Sequence, residues 1–179
     1  MKVGISGAQS VGKTTLLNAL RSEKIFNTFV VCDEITRRIK SYGVGINEDG
    51  TDVTQRLVMQ EHVMNVFLHD NMLTDRTSLD GLVYTTWLYE SGKITKDTLK
   101  YALTVFKKVQ PLYDYQFYIV PEFDLVDDGV RSADLDFRDR IVHIFEQCIL
   151  DHKINVVRIS GSVRTRVEQV LSIIGDNNV

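Results

Sequence analysis

Apolar residues along this chain follow two alternating spacings. Short continuous apolar runs are typical of buried strands and predict five strands, at residues 1–6, 29–32, 71–75, 115–120 and 154–159. Between them, apolar residues recur every three or four positions and predict helices at residues 15–23, 35–42, 53–70, 77–92, 96–108, 135–150 and 163–174. This alternation predicts a parallel sheet sandwiched between helices.

The longest predicted helix, residues 53–70, is expected to begin after Asp52, because an aspartate accepts hydrogen bonds from the first free N–H groups of a helix. Its core-facing stripe is expected to comprise Met59, Val63, Val66 and Phe67. Residues 43–50 contain three glycines and predict a loop before this helix. A second, acidic loop is predicted for residues 121–134.

With 179 residues, of which 44% are hydrophobic and 25% charged, the chain fits one globular domain. The net charge of −3 argues against a protein that coats nucleic acid, which usually presents a basic face. No apolar run approaches the roughly 18 residues of a membrane span, and the N-terminal segment lacks the apolar stretch of a signal peptide. Cys32 and Cys148 predict buried free thiols in a reducing, cytoplasmic compartment.

The first predicted strand leads into a phosphate-binding motif. The pattern G-x-x-x-x-G-K-[ST] is matched by Gly7, Ala8, Gln9, Ser10, Val11, Gly12, Lys13 and Thr14. Glycines let successive backbone N–H groups turn towards phosphate oxygens. Lys13 would supply positive charge to the β- and γ-phosphates, Thr14 would offer its hydroxyl to Mg²⁺, and Thr15 is expected beside the α-phosphate. The motif therefore predicts nucleotide binding.

Four segments together resemble the P-loop kinase superfamily of nucleoside and nucleotide kinases: GAQSVGKTT, DEITRR, DRTSLDGLVY and DDGVRSADLDFRDR. The chain is most similar to a compact AAA-like ATPase and kinase family that includes the ribosylnicotinamide kinase domain of bifunctional NAD-synthesis proteins. Thymidylate kinases share the Asp-Arg segment followed by a tyrosine. The resemblance implies a P-loop NTPase α/β fold, a three-layer α/β/α sandwich with five parallel strands in the order 2-3-1-4-5. It also implies one domain over residues 1–179, with a lid segment near residues 121–140.

Two acidic residues follow the second strand, at the sheet edge that faces the ligand in open α/β sheets. A carboxylate there can accept the proton of an acceptor hydroxyl as it attacks the γ-phosphate. Resemblance to deoxynucleoside kinases favours Glu34 over Asp33 for this role, and the alternative is that either residue caps the next helix. Arg37 is a candidate to grip a substrate phosphate or, alternatively, lies on a solvated face.

The segment after the third strand supplies further candidates. Within the resemblance, Asp75 would hold Mg²⁺ through water, together with Thr14, or contact a substrate hydroxyl. Arg76 would contact the substrate, and Tyr84 is a candidate to line the acceptor pocket. Asp80 is a candidate to support the site or, equally, to cap or ion-pair within its own helix.

Arginines in the last third of the chain are candidates for closing the site. Related kinases close a lid that brings arginines onto the transferring phosphoryl group, and Arg131 and Arg138 are candidates for that role. Arg140 is the weaker candidate, and ordinary ion pairs with nearby aspartates are the alternative for all three. Arg164 is a candidate to stack on the adenine, although a helix cap by Ser162 explains the same segment.

These features predict a kinase that uses ATP and Mg²⁺ to phosphorylate a small nucleoside or nucleoside monophosphate, an activity in nucleotide metabolism. Its specificity would depend on residues 43–52 and on the helices around Met59, His62, Tyr84 and Trp87. No membrane partner is expected, and a homodimer is compatible with the sequence.

Two other classes of function are alternatives. A regulatory nucleotide-binding ATPase is one, although the chain has no Asn-Lys-x-Asp motif and its only Asp-Glu pair follows the second strand. A kinase acting on nucleic acid is a minor alternative, because its densest basic cluster, Arg37, Arg38 and Lys40, is thin for a polyanion.

Overall fold

The computed structural model describes residues 1–32, 35–121 and 132–176, apart from the side chains of residues 36, 37, 132–135 and 176. The strands in these ranges are β1 (Lys2–Ser6), β2 (Val30–Cys32), β3 (Met72–Asp75), β4 (Tyr115–Ile119) and β5 (Val157–Ile159). The α-helices are α1 (Lys13–Leu20), α2 (Ile35–Ser41), α3 (Asp52–Leu68), α4 (Ser78–Glu90), α5 (Lys96–Val109), α6 (Ser132–Asp151) and α7 (Val163–Asp176). Short 3₁₀ turns occur at Lys24–Phe26, Asn47–Asp49 and Gln110–Leu112.

All neighbouring strands are parallel, and their order is β2-β3-β1-β4-β5, which confirms the predicted order. The chain crosses from β1 outward to β2 and then always moves in the opposite direction across the sheet. Because such crossovers are right-handed, α1 lies on one face and α2 to α6 lie on the other. After the edge strand β5, α7 packs on α1, which completes the three-layer α/β/α sandwich.

The strands carry mostly apolar residues because helices cover both faces of the sheet. The core includes the fully buried side chains of Ile5, Leu17, Leu73, Phe117, Tyr118 and Phe145. Within the sheet Ile5 of β1 lies opposite Asp75 of β3. This register places the loop after β1 beside the carboxyl end of β3.

The start of α3 differs from the prediction that Asp52 caps it. Thr51 is the N-cap: its hydroxyl accepts a hydrogen bond from the Thr54 N–H, and the Thr54 hydroxyl accepts one from the Thr51 N–H, both at 3.3 Å. A threonine pair caps a helix in this reciprocal way as well as an aspartate does. Asp52 instead accepts hydrogen bonds from the N–H and hydroxyl of Thr95, which tie α3 to the start of α5.

The predicted core stripe of α3 is right for two residues and wrong for one. Met59 and Val66 are buried and Val63 is half-buried, but Phe67 is 70% exposed. The core side of the helix is instead completed by Thr54, Gln55, Val58 and His62. Its three polar side chains, Thr54, Gln55 and His62, all line a pocket, so the buried face of α3 is more polar than a hydrophobic pattern indicates.

Other predictions concern the last helices, the cysteines and the membrane. α6 begins at Ser132, within the segment predicted to be a loop, and residues 122–131 of the predicted lid lie outside the described residues. Cys32 and Cys148 are buried free thiols, as predicted. In the described part of the chain, none of the helices combines the length and apolar character that crossing a membrane requires.

Candidate functional site

The loop after β1 curls around the start of α1. Gly12 precedes the helix and supplies no side chain to cap the first backbone N–H groups. Such N–H groups, with the helix dipole behind them, attract an anion. The buried Lys13 ammonium donates to the carbonyl oxygens of Gly7 (2.8 Å) and Ala8 (2.6 Å). The loop therefore gathers the positive charge and the N–H groups that a phosphate requires.

Gly12 is in contact with a buried arginine that sequence analysis missed. Its φ of +89° lies in the left-handed region, and a Cβ there would lie 3.3 Å from Nη1 of Arg166. Arg166 is buried, and its Nη1 donates to the Val11 carbonyl oxygen (2.8 Å), which ties α7 to the loop. Arg166 takes the place of an apolar residue in a buried stripe with Val170 and Ile174. A charged residue at such a position is the signal that could have identified it.

Thr14 and Asp75 meet at the edge of the sheet. The Thr14 hydroxyl donates to Oδ2 of Asp75 across 2.6 Å. Asp75 is 1% exposed, and its Oδ1 has no hydrogen-bond partner among the described residues. An unpartnered buried carboxylate oxygen is costly unless a ligand completes it.

The Thr14 and Asp75 pair fits the predicted magnesium site. Mg²⁺ binds hard oxygen ligands and usually takes one or two from the protein, with phosphates and water completing its shell. In the described residues no group of three or more His, Cys, Asp or Glu side chains is placed to hold a metal ion. The orphaned Oδ1 of Asp75 is therefore the oxygen that a bound magnesium–nucleotide complex would satisfy.

Asp80 both caps its own helix and contacts the phosphate-binding loop. Its Oδ2 accepts a hydrogen bond from the Thr77 N–H at the start of α4 (3.0 Å), and its Oδ1 accepts one from the Gly7 N–H (3.4 Å). Burial raises the pKa of Asp80, while the charges of Lys13 and Arg76 act in the opposite direction. Both alternatives considered for this residue from the sequence thus describe contacts that it makes.

Arg76 follows β3 in a left-handed backbone conformation, with φ of +82°. Residues other than glycine seldom adopt it, and it is often found at functional sites. The guanidinium is buried and lies 5.0 Å from the ring centre of Tyr84, a cation–π contact. The Tyr84 hydroxyl donates to Oε1 of Gln9 in the loop (2.9 Å). The fold thus brings Arg76 and Tyr84 against the phosphate-binding loop.

Two adjoining cavities result from this arrangement. The first is an open cleft of about 420 Å³, called here the loop cleft and lined by Gln9, Ser10, Gly12, Lys13, Thr14, Thr15, Asn47, Asp75 and Arg76. The second is a small cavity of about 20 Å³, called here the inner pocket, with room for about one water molecule. Arg76 and Asn47 line both cavities and form the boundary between them.

The inner pocket lies between α3 and α4. It is lined by Ile35, Ile46, Asn47, Thr54, Gln55, Val58, His62, Arg76, Asp80, Gly81 and Tyr84. A Cβ on Gly81 would lie 2.5 Å from Sδ of Met59 and 3.2 Å from Cδ2 of His62, so a glycine within α4 allows α3 to approach closely. The pocket therefore combines an apolar wall with a few polar side chains, as small-molecule sites do.

α3 presents the polar side chains of Thr54, Gln55 and His62 to this pocket. His62 is 1% exposed, and its Nε2 has no hydrogen-bond partner among the described residues. Burial, assisted by the charge of Arg76, lowers the pKa of His62 to about 3, so its imidazole is neutral at pH 7. Oε1 of Gln55 accepts a hydrogen bond from the Thr85 hydroxyl (2.9 Å), which orients its amide.

The remaining predicted site residues do not all join this cluster. Asp33, Glu34 and Arg131 lie outside the described residues, as does the side chain of Arg37. Thr15 lines the loop cleft. The roles assigned to these residues from the sequence stay predictions.

Arginines on the two last helices differ in their surroundings. Arg138 of α6 is 6% exposed, whereas Arg140 is exposed and pairs with Glu90 (2.7 Å). Arg164 is also exposed and pairs with Glu168 one turn along α7 (2.9 Å). The Ser162 hydroxyl accepts a hydrogen bond from the Thr165 N–H, so the helix cap considered for this segment is present.

Comparison with protein families extends over nearly the whole chain. A family profile described as an AAA domain matches residues 2–166, from β1 into α7. The chain belongs to this AAA domain family. A search of curated proteins found no significant match.

Solved structures share the fold of this AAA domain. Deoxyadenosine kinase from M. mycoides, with the products dCMP and dCDP bound, matches 98% of this chain and 99% of its own at 13% identity and a TM-score of 0.69. A NadR protein in complex with NR matches 97% of this chain but 51% of its own, at 15% identity and a TM-score of 0.71. YorR from Bacillus subtilis, in complex with phosphorylated GDP, matches 99% of this chain and 98% of its own, at 12% identity and a TM-score of 0.55. The chain therefore has a P-loop nucleoside-kinase-like fold.

Proposed function

We propose that this protein is a kinase that transfers the γ-phosphate of ATP to a nucleoside or nucleoside monophosphate. The observation that carries the proposal is the pair of adjoining cavities that share Arg76 and Asn47. One cavity has the groups that phosphates require, and the other is small, with an apolar wall and the neutral side chains of Gln55 and His62 beside the charged Arg76 and Asp80. Phosphoryl transfer requires a donor and an acceptor side by side, and catalysis then consists largely of positioning and charge stabilisation.

The loop cleft would bind the donor. Lys13 and the backbone N–H groups at the start of α1 would hold the β- and γ-phosphates, with Thr15 beside the α-phosphate. Thr14 and Asp75 would hold Mg²⁺ against the phosphates. The ion, when bound, supplies positive charge that neutralises phosphate oxygens during transfer.

The inner pocket would receive the flat, neutral part of the acceptor, with His62 and Gln55 facing its polar edge. Its volume of about 20 Å³ is too small for such a group, so the segment around Asn47 must move to admit it. Arg76, at the boundary, would then lie beside the reacting groups. Glu34 or Asp33 would accept the proton of an attacking hydroxyl, whereas Arg37 would serve an acceptor that already carries a phosphate.

Arginines would also stabilise the charge that develops on the transferring group. Arg131 and Arg138 are the proposed contributors from the lid side of the site. The AAA domain family, the nucleoside-kinase-like fold and the inner pocket next to the loop cleft all support a small-molecule kinase. Because ATP and nucleosides are small metabolites of the cell interior, we propose a cytoplasmic role in nucleotide metabolism.

The test is an ADP-release assay with ATP and Mg²⁺ against nucleosides, nucleoside monophosphates, ribosylnicotinamide and short oligonucleotides. One small acceptor is expected to raise ADP release at least about 100-fold over ATP alone. Lys13→Ala should lower that activity at least about 100-fold, because the substitution removes a positive charge that stabilises the transition state. Lys24→Ala is the matched control, since Lys24 is exposed and outside the loop cleft, and it should retain full activity.

Two outcomes would contradict the proposal. ADP release that is equally fast without any acceptor would indicate a regulatory ATPase. ADP release that rises with oligonucleotides but with none of the small acceptors would indicate a nucleic-acid kinase.

A further inference from the structure

Arg166 is a buried charge that contacts the phosphate-binding loop from the side of α7. It is 5% exposed and lies in the first turn of this helix, where its N–H donates to the Ser162 carbonyl oxygen (2.9 Å). Its Nη1 donates to the Val11 carbonyl oxygen across 2.8 Å. Among the described residues, those that line the loop cleft include Gly12 but not Arg166. The arginine therefore contacts the loop from outside the cleft.

The hydrogen bond to Val11 fixes the direction of one backbone N–H of the loop. The Val11 carbonyl and the Gly12 N–H belong to the same peptide bond, and in a trans peptide these two groups point in opposite directions. The described part of the chain contains no cis peptide bond. Because the carbonyl is held towards Arg166, the Gly12 N–H points away from the arginine. Gly12 lines the loop cleft, so this N–H is available to an anion bound there.

The absence of a side chain at Gly12 allows this contact. Its φ of +89° lies in the left-handed region, which glycine adopts without steric cost. A Cβ would lie 3.3 Å from Nη1 of Arg166, so a larger residue would crowd the guanidinium that holds the Val11 carbonyl. The glycine of the motif and the arginine of α7 therefore determine the orientation of the same peptide bond.

Helix packing alone does not account for a guanidinium at this position. Arg166 shares a buried stripe with Val170 and Ile174, and α7 packs on α1. An apolar side chain would fill such a position without the desolvation that a buried charge requires. The charge instead lies against the loop that receives anions, and in buried surroundings it attracts them more strongly than it would in water.

We propose that Arg166 is a positioning residue for the donor nucleotide. By orienting the Gly12 N–H it sets the affinity of the loop cleft for the phosphate chain of a nucleoside di- or triphosphate. This inference rests on the proposed function in one respect, which is that the loop cleft binds the donor. It goes further because it assigns part of the control of that cleft to α7, through a contact between residues 155 positions apart.

Calorimetric titration of the full chain with ATP·Mg²⁺ and with ADP tests this role. Arg166→Met keeps an unbranched stem and removes every donor, so it should raise both dissociation constants at least about 10-fold, the effect of losing one hydrogen bond from a charged group. Arg166→Lys keeps a positive charge and a donor, and it should recover most of the lost affinity. Arg158→Met is the matched control, because Arg158 is exposed on β5, pairs with Glu146 and lies outside the loop cleft. It should leave both dissociation constants unchanged.

The amide proton of Gly12 provides a second measurement, which uses the wild-type chain and does not require a variant to fold. Its signal in the nuclear magnetic resonance spectrum should shift when ADP is added, because the N–H then donates to a phosphate oxygen. A Gly12 signal that stays in place while ADP binds would overturn the role of Arg166.

Three results of the titrations would also overturn it. The first is an Arg166→Met chain that binds both nucleotides as tightly as the wild type. The second is a loss of affinity that Arg166→Lys does not recover, which would indicate that the arginine acts through packing. The third is an equal loss in Arg158→Met. All three leave the donor site of the proposed function intact, whereas a wild-type chain that binds neither nucleotide would contradict that site itself.

Discussion

Asp75 is a buried carboxylate whose Oδ1 has no partner among the described residues, an arrangement that costs stability. Asp75→Asn keeps the shape and can still accept the hydrogen bond from Thr14, but it removes the charge. We expect the free energy of unfolding to stay the same or rise by about 1 kcal/mol. ADP release should fall at least about 100-fold, because the carboxylate proposed to hold Mg²⁺ is lost. Denaturant unfolding and ADP release at several Mg²⁺ concentrations measure the two effects.

Asp70→Asn is the control for Asp75, because Asp70 is exposed just before β3. It should change neither the free energy of unfolding nor the dependence on Mg²⁺. A loss of stability and activity together in Asp75→Asn would instead indicate that the carboxylate supports the fold.

His62 should make stability depend on pH. Burial lowers its pKa from 6.5 to about 3 in the folded chain, so between those pH values the unfolded chain binds a proton that the folded chain does not. The free energy of unfolding therefore falls as pH decreases below about 6.5, by about 1.4 kcal/mol per pH unit. Between pH 7.5 and pH 5 this group should account for about 2 kcal/mol.

His62→Gln removes the titrating group and keeps a polar side chain. Denaturant unfolding at pH 7.5 and pH 5 should show that this variant loses less stability than the wild type over the same interval. The difference between the two losses of stability is the part that His62 causes. Burial raises the pKa of the nearby Asp80, so Asp80 changes the free energy of unfolding in the opposite direction as pH decreases. Equal losses in both proteins would mean that His62 is not held neutral in the fold.

Some residues could be assigned from the sequence and others could not, for physical reasons. Lys13 donates to carbonyl oxygens of its own loop, whose geometry is set by the glycines of the motif. The Thr14 hydroxyl instead contacts Asp75, 61 residues along the chain, and this contact depends on the pairing of β1 with β3. Arg166 reaches the same loop from the other end of the chain, and only tertiary packing brings it there. The sequence therefore indicated Arg164 as the functional arginine of this segment, but Arg164 is exposed and paired with Glu168.

Among the elements, α3 shows where a hydrophobic pattern has limited power. Its existence and length were predictable because apolar residues recur at helical spacing over almost five turns. Its orientation was not, because both sides are apolar and Phe67 lies on the outer one. The strand order, in contrast, came from a resemblance, since the alternation of strands and helices alone predicts only a parallel sheet.

Polar contacts within the core join three elements beside the site. Nε2 of Gln116 in β4 donates to the hydroxyls of Ser6 at the end of β1 (3.0 Å) and of Thr77 before α4 (2.8 Å). Gln116→Leu leaves both buried hydroxyls without this donor, so we expect the free energy of unfolding to fall by about 2–3 kcal/mol. Denaturant unfolding measures the loss.

A double-mutant cycle with Ser6→Ala checks that the Gln116 contacts act as one network. The hydroxyl oxygens of Ser6 and Thr77 lie 2.8 Å apart, and both contact Gln116. The losses of stability caused by Gln116→Leu and Ser6→Ala should therefore be non-additive by at least about 0.5 kcal/mol. Strictly additive losses would mean that the three side chains contribute independently.

The whole molecule places two cavities on one edge of a rigid sheet, and each ligand should stabilise the fold by itself. A ligand at 100 times its dissociation constant adds about 2.7 kcal/mol to the free energy of unfolding. For a chain of this size that raises the melting temperature by about 5–10 °C. ATP with Mg²⁺ should give such a shift in the wild type, and so should the acceptor that supports ADP release.

Substitutions should separate the two shifts according to which cavity they line. Lys13→Ala should lose most of the shift with ATP and keep the shift with the acceptor, whereas His62→Gln should do the reverse. Arg76→Met should reduce both shifts, because Arg76 lines both cavities. If Lys13→Ala removed both shifts equally, the two ligands would share one site or bind in a fixed order. The opposite result has three parts: the shift with ATP depends on Lys13, the shift with the acceptor depends on His62, and both shifts depend on Arg76. It would mean that donor and acceptor meet at the boundary that Arg76 forms.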